Sequence, residues 1–144
     1  MTGRVFVDTN VLIYAHDADA GRKHAVAADL VAQLWASRGG ALSVQVLQEF
    51  YVNVTRKIRA PLSKKLAREM VETYSVWHVE SVGADEVVAA SGLEERHKIS
   101  FWDALIIVAA RKAGAEKLLS EDLNAGQRIA GIIVENPFAG ARVR

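Results

Sequence analysis

The sequence contains no cysteine, which excludes disulfides, thiolate zinc ligands and a cysteine nucleophile, and is compatible with a reducing compartment. Its four histidines, His16, His24, His78 and His97, show no HxH or HxxxH spacing, which argues against a zinc site. No apolar run approaches the roughly 20 residues that a membrane span needs, and the N-terminus lacks a charged-then-apolar signal segment. An excess of one sign of charge is missing too: 18 Lys and Arg stand against 17 Asp and Glu, a formal net charge of +1, so any affinity for a polyanion must be local. These absences predict a soluble, cytoplasmic protein. The hydrophobic fraction of 51% and charged fraction of 24% are those of a globular chain. A length of 144 residues predicts one domain, with a core over residues 4–135 and a tail over 136–144. No repeat, linker or low-complexity stretch interrupts it.

Arg4 to Asp8 reads as a buried strand that delivers a carboxylate to the turn Thr9-Asn10, before the apolar run Val11 to Tyr14. In open α/β sheets, ligands sit beyond the carboxyl ends of the strands, so Asp8 is aimed where chemistry is usually done. Helical spacing follows from Arg22 to Ser37, with a stop at Gly39-Gly40. A short strand over Ala41 to Val44 leads to a helix running to about Arg59, with Ser43 as its N-cap. Pro61 breaks that helix and Ser63 caps the next, through Val71 to Tyr74. Ser75 to Val79 has strand composition. A helix from Ala84 to about His97 precedes another over Ser100 to Ala110, apolar almost all round and therefore expected to be buried. Glu116 to Leu119 and Gly131 to Val134 are the last strands. Strands alternating with helices predict an α/β fold: three layers, α/β/α, around a small parallel sheet.

Four acids stand at notable places in this pattern. Asp122 follows the strand ending at Leu119 and the hydroxyl of Ser120, so two strand ends present an aspartate at one sheet edge. Asp103 lies three residues after Ser100, at the third position of a capping box, where an acid can simply stabilise the helix terminus. Glu49 is flanked by Leu47, Phe50 and Tyr51 on a helix, and a half-exposed glutamate there is equally ordinary. Asp8 alone could do no more than accept hydrogen bonds from turn amides. If the four converge, mutual repulsion raises their pKa values unless a divalent cation joins them. With oxygen donors only, Mg²⁺ or Mn²⁺ fits. Such a centre suits phosphodiester hydrolysis, since the cation acidifies a bound water and offsets phosphate charge. Thr9 and Ser120 are placed to orient carboxylates, and Asn10 to brace the turn.

The segments Val5 to Leu12, Phe101 to Ile106 and Leu118 to Asn124, with Glu49 between them, resemble the acidic motifs of PIN-domain ribonucleases. The short chain is most similar to the VapC-type toxins of bacterial toxin–antitoxin pairs. The resemblance implies that Asp8, Glu49, Asp103 and Asp122 form an acidic quartet serving an endoribonuclease. Asp8 and Asp103 would then be the principal Mg²⁺ ligands, and Asp122 with Glu49 would complete the shell directly or through water. Some relatives carry a further acid two positions after the fourth. Here that place holds Asn124, a neutral ligand at best. The resemblance also implies an RNA substrate, an antitoxin partner whose C-terminal segment lies in the active-site groove, and a homodimer.

Between positions 56 and 68 there are six basic residues, Arg56, Lys57, Arg59, Lys64, Lys65 and Arg68, and no acid. They could engage RNA phosphates or simply solvate a helix–helix connection. Tyr51, Trp77 and Trp102 could stack on bases, but core packing is the better account of each. A housekeeping RNA-processing PIN nuclease and an inactive PIN-fold binding module are alternatives. An aspartate-nucleophile phosphatase fits less well, because the acid–base residue two positions after the nucleophile is here Asn10. A receiver-like phosphoacceptor domain fails on Lys117, which precedes its strand instead of following it.

Overall fold

In the computed structural model, which describes residues 3–139, one six-stranded sheet runs in the order β3-β2-β1-β4-β6-β5. The strands are β1 (Arg4–Val7), β2 (Gly40–Ser43), β3 (His78–Glu80), β4 (Ala115–Leu119), β5 (Arg128–Ile129) and β6 (Ile132–Glu135). All neighbours pair parallel except β5 with β6. The helices are α1 (Thr9–His16), α2 (Arg22–Ser37), α3 (Val44–Arg56), α4 (Lys64–Tyr74), α5 (Ala84–His97) and α6 (Phe101–Lys112). Helix α1 packs on α2 and α3, α3 on α4, and α5 on α6, which lies over β2, β3, β4 and β6. Helices on both sides of a mostly parallel sheet are the expected three-layer α/β/α arrangement. Residues 140–144 of the expected tail lie outside the described residues.

Burial explains why these segments form these elements. Phe6, Val7, Ala41, Leu42, Leu118 and Val134 carry essentially no exposed surface, as strands covered on both faces require. Seven consecutive residues of α6, Ala104 to Ala110, are buried, which matches its apolar composition. Ser43, Ser63 and Ser100 each cap a helix, accepting from the amides of Val46, Leu66 and Asp103 at 3.3, 3.1 and 3.0 Å.

The structure departs from the sequence reading at several boundaries. Thr9 and Asn10 form no separate turn: Asp8 is itself the N-cap, accepting from the amide of Thr9, and α1 begins at once. Helix α3 stops at Arg56, three residues short of expectation, because the chain folds back so that the Leu62 amide reaches the Val54 carbonyl at 2.8 Å. Strand β3 starts only at His78, since Ser75 and Trp77 donate backward to the carbonyls of Val71 and Tyr74 and close α4. Strand β5 went unforeseen. It forms a hairpin with β6 through Ala130 and Gly131, whose φ angles of 52° and 85° match a two-residue turn of the primed type. On β2, next to the β3 edge, the Trp77 ring covers Gly40 so closely that an added Cβ would lie 2.5 Å from it.

Candidate active site

Because β2 and β3 lie on one side of β1 while β4 and β6 lie on the other, the winding reverses between β1 and β4. That reversal opens a crevice beyond the carboxyl ends of the two strands. Asp8 continues β1 there, its amide donating to the Leu119 carbonyl at 2.9 Å. The side chain is 5% exposed. Its Oδ1 accepts from the Thr9 amide at 2.7 Å and its Oδ2 from the Ser120 hydroxyl at 2.7 Å. Burial outweighs these bonds and pushes the Asp8 carboxyl up to about 6, with the charges of Asp122 and Asp103 adding to the rise.

The turn after β4 is fastened to α1 by one side chain. The Asn10 amide nitrogen donates to Asp122 Oδ2 at 3.0 Å and reaches Asp8 Oδ2 at 3.4 Å, while its Oδ1 accepts from the Glu121 amide at 3.2 Å. Ser120, fully buried, donates to Asp8 and accepts from the Asp122 amide at 3.1 Å. Glu49 arrives from α3: the Thr9 hydroxyl donates to its Oε1 at 2.5 Å and the Gln45 amide to its Oε2 at 3.2 Å. Asp103, half-buried on the first turn of α6, is raised chiefly by burial, then by the charges of Asp122 and Glu49. The charges of Asp122 and Asp103 thus reach Asp8, and those of Asp122 and Glu49 reach Asp103. Asn124 is exposed, and among the described residues no hydrogen bond ties its side chain to them.

An open cleft of about 510 Å³ fronts this crevice, lined by Thr9, Asn10, Glu49, Asp122 and Lys57 among others. Of the six basic residues between positions 56 and 68, Lys57 is the one in that lining. Arg68 lines an adjoining apolar groove beside Tyr51. Lys65 pairs with Glu69 at 2.6 Å on the exposed face of α4, and Arg56, Arg59 and Lys64 are exposed.

The profile of the PIN domain matches residues 5–130. This chain belongs to the PIN domain family. VapC20 from Mycobacterium tuberculosis, described as a sarcin–ricin loop cleaving toxin, is 27% identical with a TM-score of 0.63. That match covers 82% of this chain and 91% of VapC20. A toxin–antitoxin complex from Klebsiella pneumoniae matches with a TM-score of 0.65 at 20% identity, over 92% of this chain and 97% of that one. The DNA-bound VapBC complex from Salmonella typhimurium matches with a TM-score of 0.65 at 17% identity, over 94% of this PIN chain and 99% of that one. No curated protein matches.

Among the described residues of this PIN domain, no three acidic or histidine side chains already stand at ligating distances around one point. The chemistry of the donors nevertheless suits a hard divalent cation. All are carboxylates, one is buried without a cationic partner among its contacts, and its neighbours are further acids. Two contributions were not visible in the sequence. Gln45 orients Glu49. Glu121 accepts from the Tyr14 hydroxyl at 2.7 Å and pairs with Lys23, whose ammonium lies 5.1 Å from the Tyr14 ring and 5.9 Å from that of Phe138. Glu121 thereby ties the Asp122 turn to α1 and α2. Its only sequence signal is its place between Ser120 and Asp122.

Proposed function

We propose that this PIN domain is a Mg²⁺- or Mn²⁺-dependent endoribonuclease that hydrolyses RNA phosphodiester bonds, and that it is the toxin of a toxin–antitoxin pair. The observation that carries the reading is Asp8: a buried carboxylate raised to about 6, crowded by further acids at the sheet's winding reversal. An isolated acid placed so is a liability to the fold; beside a cation it becomes a ligand. VapC and VapBC structures among the relatives support a toxin with an antitoxin partner.

In this reading Asp8 and Asp103 hold the cation, with Asp122 and Glu49 completing its surroundings. Thr9 and Gln45 fix the Glu49 carboxylate, Ser120 fixes Asp8, and Asn10 sets the spacing between Asp8 and Asp122. Asn124 stands at the rim. A bound Mg²⁺ would supply charge to offset the phosphate and would acidify the attacking water. Lys57 faces the same cleft and binds an RNA phosphate, while Arg56, Arg59, Lys64, Lys65 and Arg68 extend the positive field along the substrate. Asn10 is occupied in bracing two acids, which leaves it no part in proton transfer.

The test is cleavage of RNA by purified protein with and without Mg²⁺. Activity should need the ion and vanish in Asp8→Asn, whose circular dichroism stays that of the parent. Undiminished cleavage by Asp8→Asn would refute the assignment.

A further inference from the structure

Trp102 departs from the core packing expected of it. It precedes Asp103 on the first turn of α6, and core packing was an adequate account of it. Instead 62% of its surface is exposed, with the Phe101 ring set against it edge-on at 5.2 Å. A large aromatic held in solvent beside an acid of the crevice calls for an occupant.

Trp102 borders a cavity of about 260 Å³ that Gln45, Gln48, Ser81, Glu80 and Leu105 help to line. This is smaller than the roughly 300–1,000 Å³ of sites for drug-sized ligands. The cavity offers an aromatic face, aliphatic surface, and two carboxamides able both to donate and to accept hydrogen bonds. Its lining holds no Lys or Arg and includes Glu80, whose carboxylate is hydrogen-bonded to His78, so a phosphate finds no lysine or arginine to meet it there, while an uncharged planar heterocycle needs none. It also adjoins the acidic cleft: Gln48 lines both spaces, and Gln45 donates to Glu49 at 3.2 Å.

We propose that this cavity holds one unpaired nucleobase of the RNA, stacked on Trp102 and hydrogen-bonded by Gln45 and Gln48, next to the phosphate that is cleaved. The inference rests on the ribonuclease reading above and narrows it, because a base can enter only where the RNA is single-stranded or the base is turned out. Trp102 is then a substrate-binding residue and a determinant of specificity.

The probe is a short, fluorescein-labelled, single-stranded RNA of mixed sequence. Its binding is followed by anisotropy in the Asp8→Asn chain, with Trp102 kept or changed to Phe or Ala. Cleavage kinetics are measured in parallel with Asp8 intact. Loss of a stacking partner should weaken binding about 5- to 150-fold in Trp102→Ala, with Trp102→Phe in between. The salt dependence should keep its slope, because no phosphate contact is lost. KM should rise while kcat and the melting temperature hold. If the parent chain cleaves RNA and Trp102→Ala matches it in affinity and KM, the base site is wrong and the ribonuclease reading survives. If Trp102→Ala binds RNA normally but no longer holds a co-expressed protein partner, the surface serves that partner and the proposal is equally overturned. Absence of both RNA binding and cleavage in the parent chain brings down the proposal together with the reading beneath it.

Discussion

Replacing Asp8 by Asn should stabilise the metal-free protein at neutral pH even though it removes the residue on which activity is proposed to depend. Folded Asp8 keeps its proton to about pH 6, whereas the unfolded carboxyl releases it near its ordinary 3.8. Between those values the folded state binds more protons, so stability falls as pH rises through the window and stays low above it. A gap of that size corresponds to about 3 kcal/mol. Asn keeps an oxygen for the Thr9 amide, but the Ser120 hydroxyl must turn to accept instead of donate, which returns part of the gain. A net gain of about 2 kcal/mol, or roughly 4–8 °C in Tm for a chain of this size, is expected above pH 7. Thermal denaturation from pH 4 to pH 8 in chelator measures it. Other groups titrate in the same range, His16 among them, so the quantity to follow is the Tm difference between Asp8→Asn and the parent. That difference should be near zero at pH 4, grow through pH 6 and level off. A constant difference, or a variant less stable at pH 8, would refute the argument that Asp8 is held ionised against its surroundings.

Millimolar Mg²⁺ should raise the Tm of the parent by several degrees through binding to the folded state alone. Asp103→Asn should shrink that shift and Asp8→Asn remove it; a parent Tm indifferent to Mg²⁺ counts against the cluster. Reversing Lys57 to Glu should weaken RNA binding and lower its salt dependence by about one phosphate contact. The paired reversal of Lys64 and Lys65 on the outer face of α4 should do less, and equal effects would show that the cleft lining confers no advantage. Glu121→Gln should lose the Lys23 pair, cost about 1 kcal/mol of stability, and reduce cleavage without abolishing it. Full activity with an unchanged Tm would mean that the Asp122 turn does not need this tether.

Most of the fold was legible because burial imposes itself on composition. The opening strand, the seven buried residues of α6 and the serine caps of α3, α4 and α6 follow from apolar runs and hydroxyl spacing alone. The places that misled share a cause: tertiary hydrogen bonds overrode local pattern. Leu62 reaching back to Val54 shortened α3, and Trp77 turning back on Tyr74 delayed β3. The two-residue strand β5 is too short to carry a periodicity, so only its hairpin partner reveals it. For the site, three acids at strand ends or a helix start, and Glu49 within a largely apolar stretch of α3, stood out from the sequence. The links between them were not: Thr9 to Glu49 spans 40 residues, and Ser120 to Asp8 spans 112. Nor does sequence tell that Trp102 faces solvent, since its first-turn position on a buried helix is compatible with either side.

The central claim is that a divalent cation gathers acids from β1, α3, α6 and the turn after β4. Diffraction from crystals soaked in Mn²⁺, collected where manganese scatters anomalously, tests it without recourse to any substrate. The account predicts an anomalous peak within coordination distance of Asp8 and Asp103, with Asp122 or Glu49 beside it. A peak elsewhere, or none in crystals whose acidic crevice is open to solvent, would contradict it.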